Sequence, residues 1–467
     1  MDSIKFGTGG FRGIIAKDFT FANISLITHA LSNIIIKQDK HHKEVVIGYD
    51  HRFMSEEFAL HTARVLASFA IKTFLFKTPT PTPVVMSMIK NEGLFFGIMI
   101  TASHNPYQYN GFKLFLEKGI DADVAFTSLL ENEIKNVELD SIKTNIVNEK
   151  KFIKKINYLP KYLNQLTQIV SPIITGTTKK IIFNNLFGVG IVAFNQLVKH
   201  YKLEGIRKIN VKRDPFFNFS YPNPTKDTLS TTATFLLNNK YDFALGTDSD
   251  ADRLGVIDNN GQYVDNNEIL ASIYYYLVKY RNFKGDIVKN IATSTLIDKL
   301  ASKLGFNCHT VDVGFKNISS KLIETDALIG GESSGGLTIR NYLFGKDAIL
   351  TSMLFIEMQT VMNMSVSKII TLVKEFAEYN LVWSETNISI DKNADLSHLF
   401  NGEINIFNAK NFHILNNNIK YNLHDSSWIL FRKSGTEPIL RIVIEASSDK
   451  LSSEYITKIS NYLKELK

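Results

Sequence analysis

The chain has 467 residues, of which 44% are hydrophobic and 21% charged, and its formal net charge is +7 at pH 7. This length exceeds what one hydrophobic core usually serves, so the sequence predicts three or four domains. The 53 basic residues form no stripe with interleaved aromatic residues, and no apolar run approaches the ~18 residues of a membrane helix. We therefore expect no nucleic-acid partner and no membrane, while the mild positive excess favours anionic small substrates.

Cysteine content and the first residues indicate the compartment. Cys308 is the single cysteine, which excludes an internal disulfide framework and is typical of a reducing environment. Residues 1–5 (MDSIK) lack the apolar region of a signal peptide. We expect a cytoplasmic protein that is a monomer or a small homo-oligomer.

The first motif is glycine-rich, because residues 7–13 read GTGGFRG. Its glycines would let the backbone approach a ligand closely, and Arg12 could hold a phosphate. It does not match the dinucleotide-binding fingerprint, since position 12 is arginine and no strand is predicted before it. A flexible N-terminal turn is the alternative interpretation.

Helical and strand patterns then alternate, which predicts a largely parallel sheet. The predicted elements are a helix over 23–37, a strand over 45–49, a helix over 55–70, a strand over 72–76, a helix after Pro83 and a strand over 96–100. Further along, Asn110-Gly111 is predicted to turn into a strand over 112–116. We expect this domain to end in the polar stretch around 131–155.

The loop 101–106 (TASHNP) directly follows the apolar strand 96–100. In an open α/β sheet, ligands bind beyond the carboxyl ends of the strands, so Ser103 lies where chemistry usually takes place. A hydroxyl beside a histidine, here His104, can act as a nucleophile or carry a covalent group. The alternative is a polar turn in which Asn105-Pro106 ends the strand.

Two further alternations and a different C-terminal region follow. The second alternation has a strand over 180–184, a helix over 189–201, a strand over 208–212, a helix over 228–237 and a strand over 243–246. The third has helices over 268–280 and 296–304 and strands near 287–289, 309–313 and 328–330. Short strands at 412–415, 428–431 and 440–444 and a final helix predict a small α+β domain.

The sequence therefore predicts an α/β protein of four domains. Three related α/β domains with mixed, largely parallel sheets precede the smaller C-terminal α+β domain. The expected boundaries are 1–145, 146–253, 254–370 and 371–467. The first three domains resemble distant structural repeats.

The second chemical loop places Asp248, Asp250 and Asp252 at alternate positions just after the strand 243–246. Three carboxylates so close together would repel one another unless a cation lay between them, and oxygen ligands suit Mg²⁺. An EF-hand is excluded, because Arg253 and Asn259 stand where it needs glycine and glutamate. The alternative is an acidic surface turn. Beside a metal, Arg253 suggests a phosphoryl group shared between the two.

The third loop, 330–336 (GGESSGG), surrounds one carboxylate and two hydroxyls with glycines. Such groups suit hydrogen bonds with vicinal sugar hydroxyls. Upstream, Lys316 could meet an anionic or hydroxylated ligand. The alternatives are a plain flexible turn and a surface lysine.

The fourth loop, 432–438 (RKSGTEP), combines an arginine, two hydroxyls and backbone N–H groups around a glycine. This combination predicts an anion cradle, although the sequence is not a Walker A motif. A hairpin turn is the alternative.

Taken in this order, the loops resemble those of the phosphohexomutases, the phosphoglucomutase and phosphomannomutase group. The resemblance spans the chain from Gly7 to Pro438 and beyond, and it implies four domains around one central cleft. It also implies that Ser103 carries a phosphoryl group and holds Mg²⁺ together with the three aspartates. A hexose 1,6-bisphosphate would be the intermediate and activator of the reaction.

The resemblance implies roles for further residues. Glu332 and Ser334 would contact sugar hydroxyls, and the substrate's phosphate would be held by Arg432, Ser434, Gly435 and Thr436. His104 and Lys113 match positions near the transferred phosphoryl group, where the lysine is the candidate general base. Neighbouring cations such as Arg253 and Mg²⁺ would have to lower the pKa of Lys113 for it to accept a proton.

Two departures from the family pattern are visible. Ser249 replaces a small or cyclic residue between the first two aspartates, and its side chain can point away from the metal. The absence of histidine at Gly336 makes the third loop resemble a glucomutase. The expected reaction is exchange of phosphate between O1 and O6 of glucose or mannose. The alternatives are a phosphoglucosamine mutase, a Mg²⁺-dependent phosphatase, and a phosphosugar-binding protein without catalysis.

Overall fold

The backbone forms four sheets that follow one another along the chain. The computed structural model describes residues 4–7, 9–40, 44–139, 149–391, 395–402, 407, 409–433 and 439–465. Three sheets mix parallel and antiparallel strands, and the fourth is antiparallel throughout. The expected fold class, three α/β domains and a smaller α+β domain, is confirmed.

The first sheet has the strand order β1-β5-β4-β2-β3-β7, with β6 paired to β5. Its strands are β1 (Phe11–Ile14), β2 (Val45–Tyr49), β3 (Thr73–Phe76), β4 (Phe96–Ile100), β5 (Tyr109–Leu116), β6 (Ile120–Asp121) and β7 (Ile153–Ile156). Its helices are α1 (Phe21–Lys37), α2 (Ser55–Ser68), α3 (Thr82–Glu92) and α4 (Val124–Ile134). All five residues of β4 are buried, which explains its continuous apolar sequence.

The second sheet has the order β12-β11-β10-β8-β9. Its strands are β8 (Ile181–Asn184), β9 (Ile206–Ile209), β10 (Phe243–Thr247), β11 (Leu254–Ile257) and β12 (Tyr263–Val264). The helices of this region are α5 (Leu159–Ile169), α6 (Gly190–His200) and α7 (Ser230–Asn239). Because β10 and β11 pair antiparallel, the aspartate loop joins the two strands of a hairpin.

The third sheet has the order β14-β13-β15-β16. Its strands are β13 (Ile287–Asn290), β14 (Cys308–Val311), β15 (Ile329–Glu332) and β16 (Gly336–Ile339). Its helices are α8 (Asn266–Lys279), α9 (Leu296–Leu304), α10 (Phe315–Thr325), α11 (Ala348–Met362) and α12 (Val366–Phe376). The third chemical loop, which we call the glutamate loop after Glu332, again joins two antiparallel strands, β15 and β16.

The fourth sheet has the order β17-β21-β20-β19-β18. Its strands are β17 (Val382–Ser389), β18 (Ala409–Leu415), β19 (Asn418–Leu423), β20 (Trp428–Lys433) and β21 (Ile439–Ala446). Its helices are α13 (Ser397–Phe400) and α14 (Asp449–Glu465).

The first three chemical loops occupy one topological position in the three α/β sheets. In each sheet, a strand with a parallel neighbour on one side pairs antiparallel on the other side with the strand that follows it in the chain. The loop between these two strands carries Ser103 in the first sheet, the aspartates in the second and Ser334 in the third. This shared arrangement supports the interpretation of the α/β domains as structural repeats.

Several elements differ from the sequence-based expectations. Asn110-Gly111 lies inside β5 and is not a turn, and a Cβ at Gly111 would lie 2.4 Å from the Thr101 carbonyl oxygen. The strand predicted over 208–212 is β9, which begins and ends earlier in the chain. Strand pairing assigns β7 to the first sheet and both β11 and β12 to the second. The expected domain boundaries at residues 145 and 253 instead place β7 in the second domain and both β11 and β12 in the third.

The largest hydrophobic core runs through all three α/β sheets, whereas the fourth domain has a core cluster of its own. Among the described residues, no single helix is long and apolar enough to cross a membrane. The helix pair α11 and α12 passes that test together but is bent by 85°, and α11 is buried along most of its length.

Candidate active site

Ser103 lies at the centre of the site with its side chain directed at the aspartate loop. The residue is 1% exposed, and its Oγ donates a hydrogen bond to Asp248 Oδ2 at 2.8 Å. Its backbone has φ +51°, a left-handed conformation that few non-glycine residues adopt, and its N–H donates to Thr101 Oγ1 at 2.9 Å. Such a conformation persists only where the surroundings hold it in place.

Arg52, which lies outside all four motif loops, supplies that support. Its buried guanidinium donates hydrogen bonds to carbonyl oxygens of the serine loop and the start of β5, at 2.5–2.9 Å. These acceptors are the carbonyl groups of Ser103, Asn105, Pro106 and Tyr109. Asp50 balances the charge of Arg52 at 3.3 Å and accepts the Thr101 hydroxyl at 2.6 Å. Sequence reasoning missed Arg52, because its role arises only from tertiary contacts.

Ser249 joins the serine loop to the aspartate loop. Its Oγ donates to the Ser103 carbonyl oxygen at 2.7 Å and lies 3.1 Å from Asp50 Oδ2. The side chain therefore points away from the three aspartates, as the sequence analysis expected for this departure.

Asp248, Asp250 and Asp252 are all buried and form a group of carboxylates suited to a metal ion. One oxygen of each lies within 4.8 Å of the others. Asp250 Oδ1 and Asp252 Oδ1 are buried without a hydrogen-bond partner among the described residues, and burial of an unpaired anionic oxygen is costly. A divalent cation would satisfy both atoms, so the donor set fits Mg²⁺.

Burial, and then the charges of Asp252 and Asp250, raise the pKa of Asp248 well above its ordinary value. The Asp248 Oδ1 atom accepts the backbone N–H groups of Asp252 and Arg253, both at 3.0 Å. These bonds fix the turn of the hairpin, so that the carboxylates converge on one point.

Lys113 extends from β5 into the aspartate group. Its Nζ lies 2.6 Å from Asp250 Oδ2 and 3.0 Å from Asp252 Oδ2. Burial lowers the pKa of Lys113, but the charges of Asp250 and Asp252 outweigh this effect and raise it above the ordinary value. The described residues by themselves therefore raise the pKa of Lys113, and the lowering expected from Arg253 together with Mg²⁺ stays a prediction.

Three further basic side chains lie beside the serine loop and the aspartate loop. Arg12, on β1, donates to Asn105 Oδ1 at 2.5 Å, and burial followed by the charge of Arg253 lowers its pKa. Arg253 Nε lies 3.9 Å from Asp252 Oδ1. His104 Nδ1 lies 3.4 Å from Ser103 Oγ, and burial together with the two arginines holds the pKa of His104 well below its ordinary value.

The glutamate loop is linked to the aspartates by Lys346, which the sequence analysis missed. Lys346 Nζ lies 3.5 Å from Asp252 Oδ2 and 3.6 Å from Glu332 Oε1. The same Glu332 oxygen accepts the Ser334 hydroxyl at 2.6 Å. A Cβ at Gly336 would lie 2.0 Å from Lys346 Cδ, so glycine is needed here for the lysine stem to pass. The available sequence signal was only a lysine in a polar loop.

The fourth domain brings Arg432 towards the same cleft. Arg432 on β20 lies opposite Arg441 on β21, a pairing of like charges that is unfavourable unless an anion neutralises it. Burial and then Arg441 lower the pKa of Arg432, while Glu385, Glu332 and Asp312 act to raise it. Ser434, Gly435 and Thr436 lie outside the described residues.

Lys316 lies half-buried in the first turn of α10. Its charge acts on Asp121 of the first sheet, whose pKa is raised mainly by burial. Lys316 therefore lies on the side of the third domain that is near the first, and its contact with a ligand stays a prediction.

The assembled site contains a buried serine hydroxyl, a carboxylate group that fits a divalent cation, and arginine and lysine side chains around both. These are the components of phosphoryl transfer, in which catalysis consists of positioning and of neutralising the phosphoryl oxygens. Glu332 adds a carboxylate suited to sugar hydroxyls. Fold and site together are those of a phosphosugar mutase, an intramolecular phosphotransferase.

Family models match four consecutive parts of the chain. The phosphoglucomutase/phosphomannomutase alpha/beta/alpha domains I, II and III match residues 3–141, 160–261 and 265–376, and the C-terminal domain matches residues 394–461. The chain belongs to the phosphoglucomutase/phosphomannomutase family.

Individual relatives match over nearly their whole length. The phosphoglucomutase/phosphomannomutase of Thermococcus kodakarensis is 25% identical, covering 97% of this chain and 96% of its own. The phosphoglucosamine/phosphogalactosamine mutase of Sulfurisphaera tokodaii is 26% identical, covering 97% of this chain and 98% of its own. A phosphoglucomutase/phosphomannomutase family protein of Burkholderia thailandensis shares the fold, with 21% identity, a TM-score of 0.82 and coverage of 99% and 97%. The relatives differ in the sugar that their names specify.

Proposed function

We propose that this enzyme interconverts hexose 1-phosphate and hexose 6-phosphate, with glucose, mannose or both as the hexose. Phosphorylated Ser103 donates its phosphoryl group to the free hydroxyl of the monophosphate, so that a P–O bond to the sugar forms as the bond to Ser103 Oγ breaks. The resulting hexose 1,6-bisphosphate reorients, and its other phosphate returns to Ser103. The observation that carries this proposal is the 2.8 Å hydrogen bond from Ser103 to Asp248 inside a buried group of carboxylates.

Asp248, Asp250, Asp252 and phosphorylated Ser103 would hold Mg²⁺, which neutralises the charge of the transferring phosphoryl group. Around this group, Arg12 and Arg253 neutralise the remaining phosphoryl oxygens. Because phosphoryl transfer leaves little covalent work for side chains, most of the rate acceleration comes from this charge and positioning.

We propose that Lys113 and His104 exchange protons with the reacting oxygens. Lys113 is the candidate general base, and it contacts Asp250 and Asp252 directly. His104 approaches the serine hydroxyl itself at 3.4 Å. Transfer of the sugar hydroxyl proton to Lys113 requires its amine to be neutral, so contact with the two carboxylates has to weaken during the reaction.

The sugar lies between the third and fourth domains. Glu332 and Ser334 bind its hydroxyls, and Lys316 of the third domain lies on the side of the cleft that is near the first domain. Arg432 holds the phosphate that is not reacting, together with Ser434, Gly435 and Thr436. Arg441 lies directly opposite Arg432, so its guanidinium supplies a second positive charge at the proposed phosphate site.

Glucosamine phosphate is the second candidate substrate. Several relatives of nearly full coverage carry the name phosphoglucosamine mutase. An ammonium group on the sugar would form an ion pair with the carboxylate of Glu332 in the cleft. We further propose that the enzyme works in the cytoplasm as a monomer or a small homo-oligomer.

The deciding experiment supplies purified protein with Mg²⁺, trace glucose 1,6-bisphosphate, and glucose, mannose and glucosamine 1-phosphates in parallel. Formation of the 6-phosphates identifies the hexose. Release of free phosphate without isomerisation would show a phosphatase, and binding without turnover would show a phosphosugar-binding protein.

A further inference from the structure

The second domain contributes a turn of unusual backbone conformation beside the serine loop. Three consecutive residues, Phe217, Asn218 and Phe219, have φ values of +50°, +54° and +56°. Such left-handed values are uncommon for residues other than glycine, and they normally occur one at a time, because they bring the Cβ atom too close to the following carbonyl oxygen. We call the segment 214–220 the aromatic turn.

Asp214 stabilises the aromatic turn from its first position. Its Oδ1 accepts the Phe216 N–H group at 2.9 Å, and its Oδ2 accepts the Asn218 N–H group at 2.8 Å. Glycine would adopt the left-handed angles without a steric penalty, yet two of the three positions are phenylalanine. Because strained conformations persist only where other contacts compensate, we expect these rings to make contacts that offset the strain.

The ring of Phe217 makes such a contact with the first domain. Phe217 is 1% exposed, and the Arg52 Cζ atom lies over its ring, 5.0 Å from the centroid. At this distance the negative face of an aromatic ring attracts a guanidinium, and the attraction is larger where water is excluded. Arg52 is also buried, and its donors bind the four carbonyl oxygens of the serine loop and the start of β5. The Phe217 ring therefore covers the group that supports the serine loop.

Two exposed rings of the aromatic turn contact Tyr107, which follows the serine loop. The Tyr107 ring centroid lies 5.8 Å from that of Phe216 and 5.4 Å from that of Phe219, both in edge-to-face geometry. Phe216 also stacks with Phe53, the chain neighbour of Arg52, at 6.0 Å. Because these rings border water, the buried Phe217 ring is the one that shields the guanidinium.

Exclusion of water from Arg52 bears directly on the conformation of Ser103. A guanidinium that water reaches exchanges its hydrogen bonds with solvent, so its carbonyl partners are held less firmly. Ser103 has φ +51°, which its surroundings have to maintain, and its own carbonyl oxygen is one of these partners. The hydrogen bond from Ser103 Oγ to Asp248 depends on that backbone conformation.

We infer that Phe217 is a positioning residue of the second domain: its ring shields the Arg52 guanidinium and so holds Ser103 in the conformation that directs its hydroxyl at Asp248. Phe217 lies outside the reacting groups and acts through Arg52. The second domain thus supplies both the aspartates and a support for the serine that faces them. In its functional consequence, this inference rests on the proposed function, because the step that it affects is phosphoryl transfer to and from Ser103.

The test replaces Phe217 by a trifluorinated phenylalanine, which nearly keeps the shape of the ring but weakens the negative charge of its face. Phe217→Leu, which keeps an apolar side chain without a π face, is the second variant. The same two replacements at Phe219 are the matched controls. Phe219 belongs to the same turn and has nearly the same φ, but it is 74% exposed.

The first readout is hydrogen exchange of backbone amides in the protein without ligand. The Ser103 and Asn105 N–H groups donate hydrogen bonds within the serine loop, so their exchange reports how firmly the loop is held. Both Phe217 replacements should speed this exchange several-fold, whereas the Phe219 variants and the β8 amides should match the parent. An unchanged serine loop, or equal acceleration in β8 or in the Phe219 variants, would overturn the inference. This measurement needs no turnover, so it remains decisive if no hexose phosphate is a substrate.

The second readout is single-turnover phosphorylation of Ser103 by glucose 1,6-bisphosphate over a range of concentrations. Both Phe217 replacements should lower the rate at saturation several-fold and leave the half-saturating concentration unchanged, because the serine is displaced while the contacts of the sugar are kept. A loosened serine loop with an unchanged saturating rate would overturn the positioning role. Absence of phosphorylation in the parent would instead contradict the proposed function, and the exchange measurement would still decide whether Phe217 supports the loop.

Discussion

The Ser103 hydroxyl donates a 2.8 Å hydrogen bond to Asp248, although the two residues are 145 positions apart and follow strands of different sheets. Both side chains are buried, so the interaction depends on the docking of the first α/β domain against the second. The reactive group and the candidate metal ligands are therefore assembled only in the folded, multidomain protein.

Ser103→Ala should abolish phosphorylation of the protein and mutase turnover, because the variant lacks the hydroxyl that is directed at Asp248. Intact mass after incubation with glucose 1,6-bisphosphate should show one added phosphate in the parent and none in the variant. Ser230→Ala, which removes an exposed hydroxyl on α7, is the control and should behave as the parent. Full activity of Ser103→Ala would exclude the phosphoserine mechanism.

Asp250→Asn should lower kcat far more than substrate affinity, since it weakens the cation site that neutralises the phosphoryl group. Loss of this kind of electrostatic stabilisation commonly costs about 10²–10³ in kcat. Mg²⁺ titrations of activity and of binding would be compared with Asp227→Asn, an exposed aspartate in the second domain. An unchanged titration and rate in Asp250→Asn would count against the metal assignment.

Arg432→Ala should reduce kcat/KM to a similar degree with the 1-phosphate and the 6-phosphate. The proposed mechanism uses one phosphoserine, so the phosphate that is not reacting would occupy the same second site in both orientations. Loss of a charge-assisted hydrogen bond of ~1.5–3 kcal/mol corresponds to about a 10- to 150-fold loss. Phosphorylation of Ser103 should remain intact. A variant impaired with one substrate and normal with the other would refute the shared phosphate site.

Arg52→Lys should slow phosphorylation of Ser103 and lower the unfolding temperature. A lysine keeps the charge beside Asp50 but cannot reach the four carbonyl oxygens that the guanidinium binds. Each buried acceptor left unpaired costs about 1–3 kcal/mol. Thermal unfolding and single-turnover phosphorylation measure the two effects. Arg64→Lys, at a half-exposed ion pair with Glu149, is the comparison, and equal behaviour of both variants would contradict the role of Arg52.

Lys420→Met should stabilise the protein near pH 7 and lose this advantage as the pH rises towards 10. Burial, and then Lys289, lower the pKa of Lys420 to about 7, although Asp298 and Glu445 act in the opposite direction. Above that pH the unfolded chain still binds a proton that the folded protein has lost. Stability of the parent therefore increases with pH between about 7 and the ordinary value of 10.5.

Unfolding temperatures of the parent and Lys420→Met across this pH range measure the difference. Lys458→Met, at an exposed position on α14, should show no such pH-dependent difference. A constant gap between the parent and Lys420→Met at all pH values would show that Lys420 keeps its proton, as its position 3.6 Å above the Trp428 ring could favour.

The features predicted from the sequence have a local sequence pattern, whereas the residues that were missed depend on contacts between distant parts of the chain. The strand β4 was predictable because burial on both faces makes its sequence continuously apolar. The position of the loop 101–106 at the carboxyl end of this strand followed from that prediction. The strand β17 was missed because it alternates exposed polar residues with half-buried ones at a sheet edge. Arg52 and Lys346 each stand alone in the sequence and acquire their contacts only when distant segments of the chain meet.

The separate core of the fourth domain bears on how the protein responds to heat. A chain with one shared core under three sheets and another under the fourth should unfold in two calorimetric steps, not as one cooperative unit. If the fourth domain melts first, the phosphorylated serine and its carboxylates would remain assembled but open to water. Water would then compete with the sugar hydroxyl for the phosphoryl group, and the warmed enzyme would hydrolyse the substrate that it isomerises when intact.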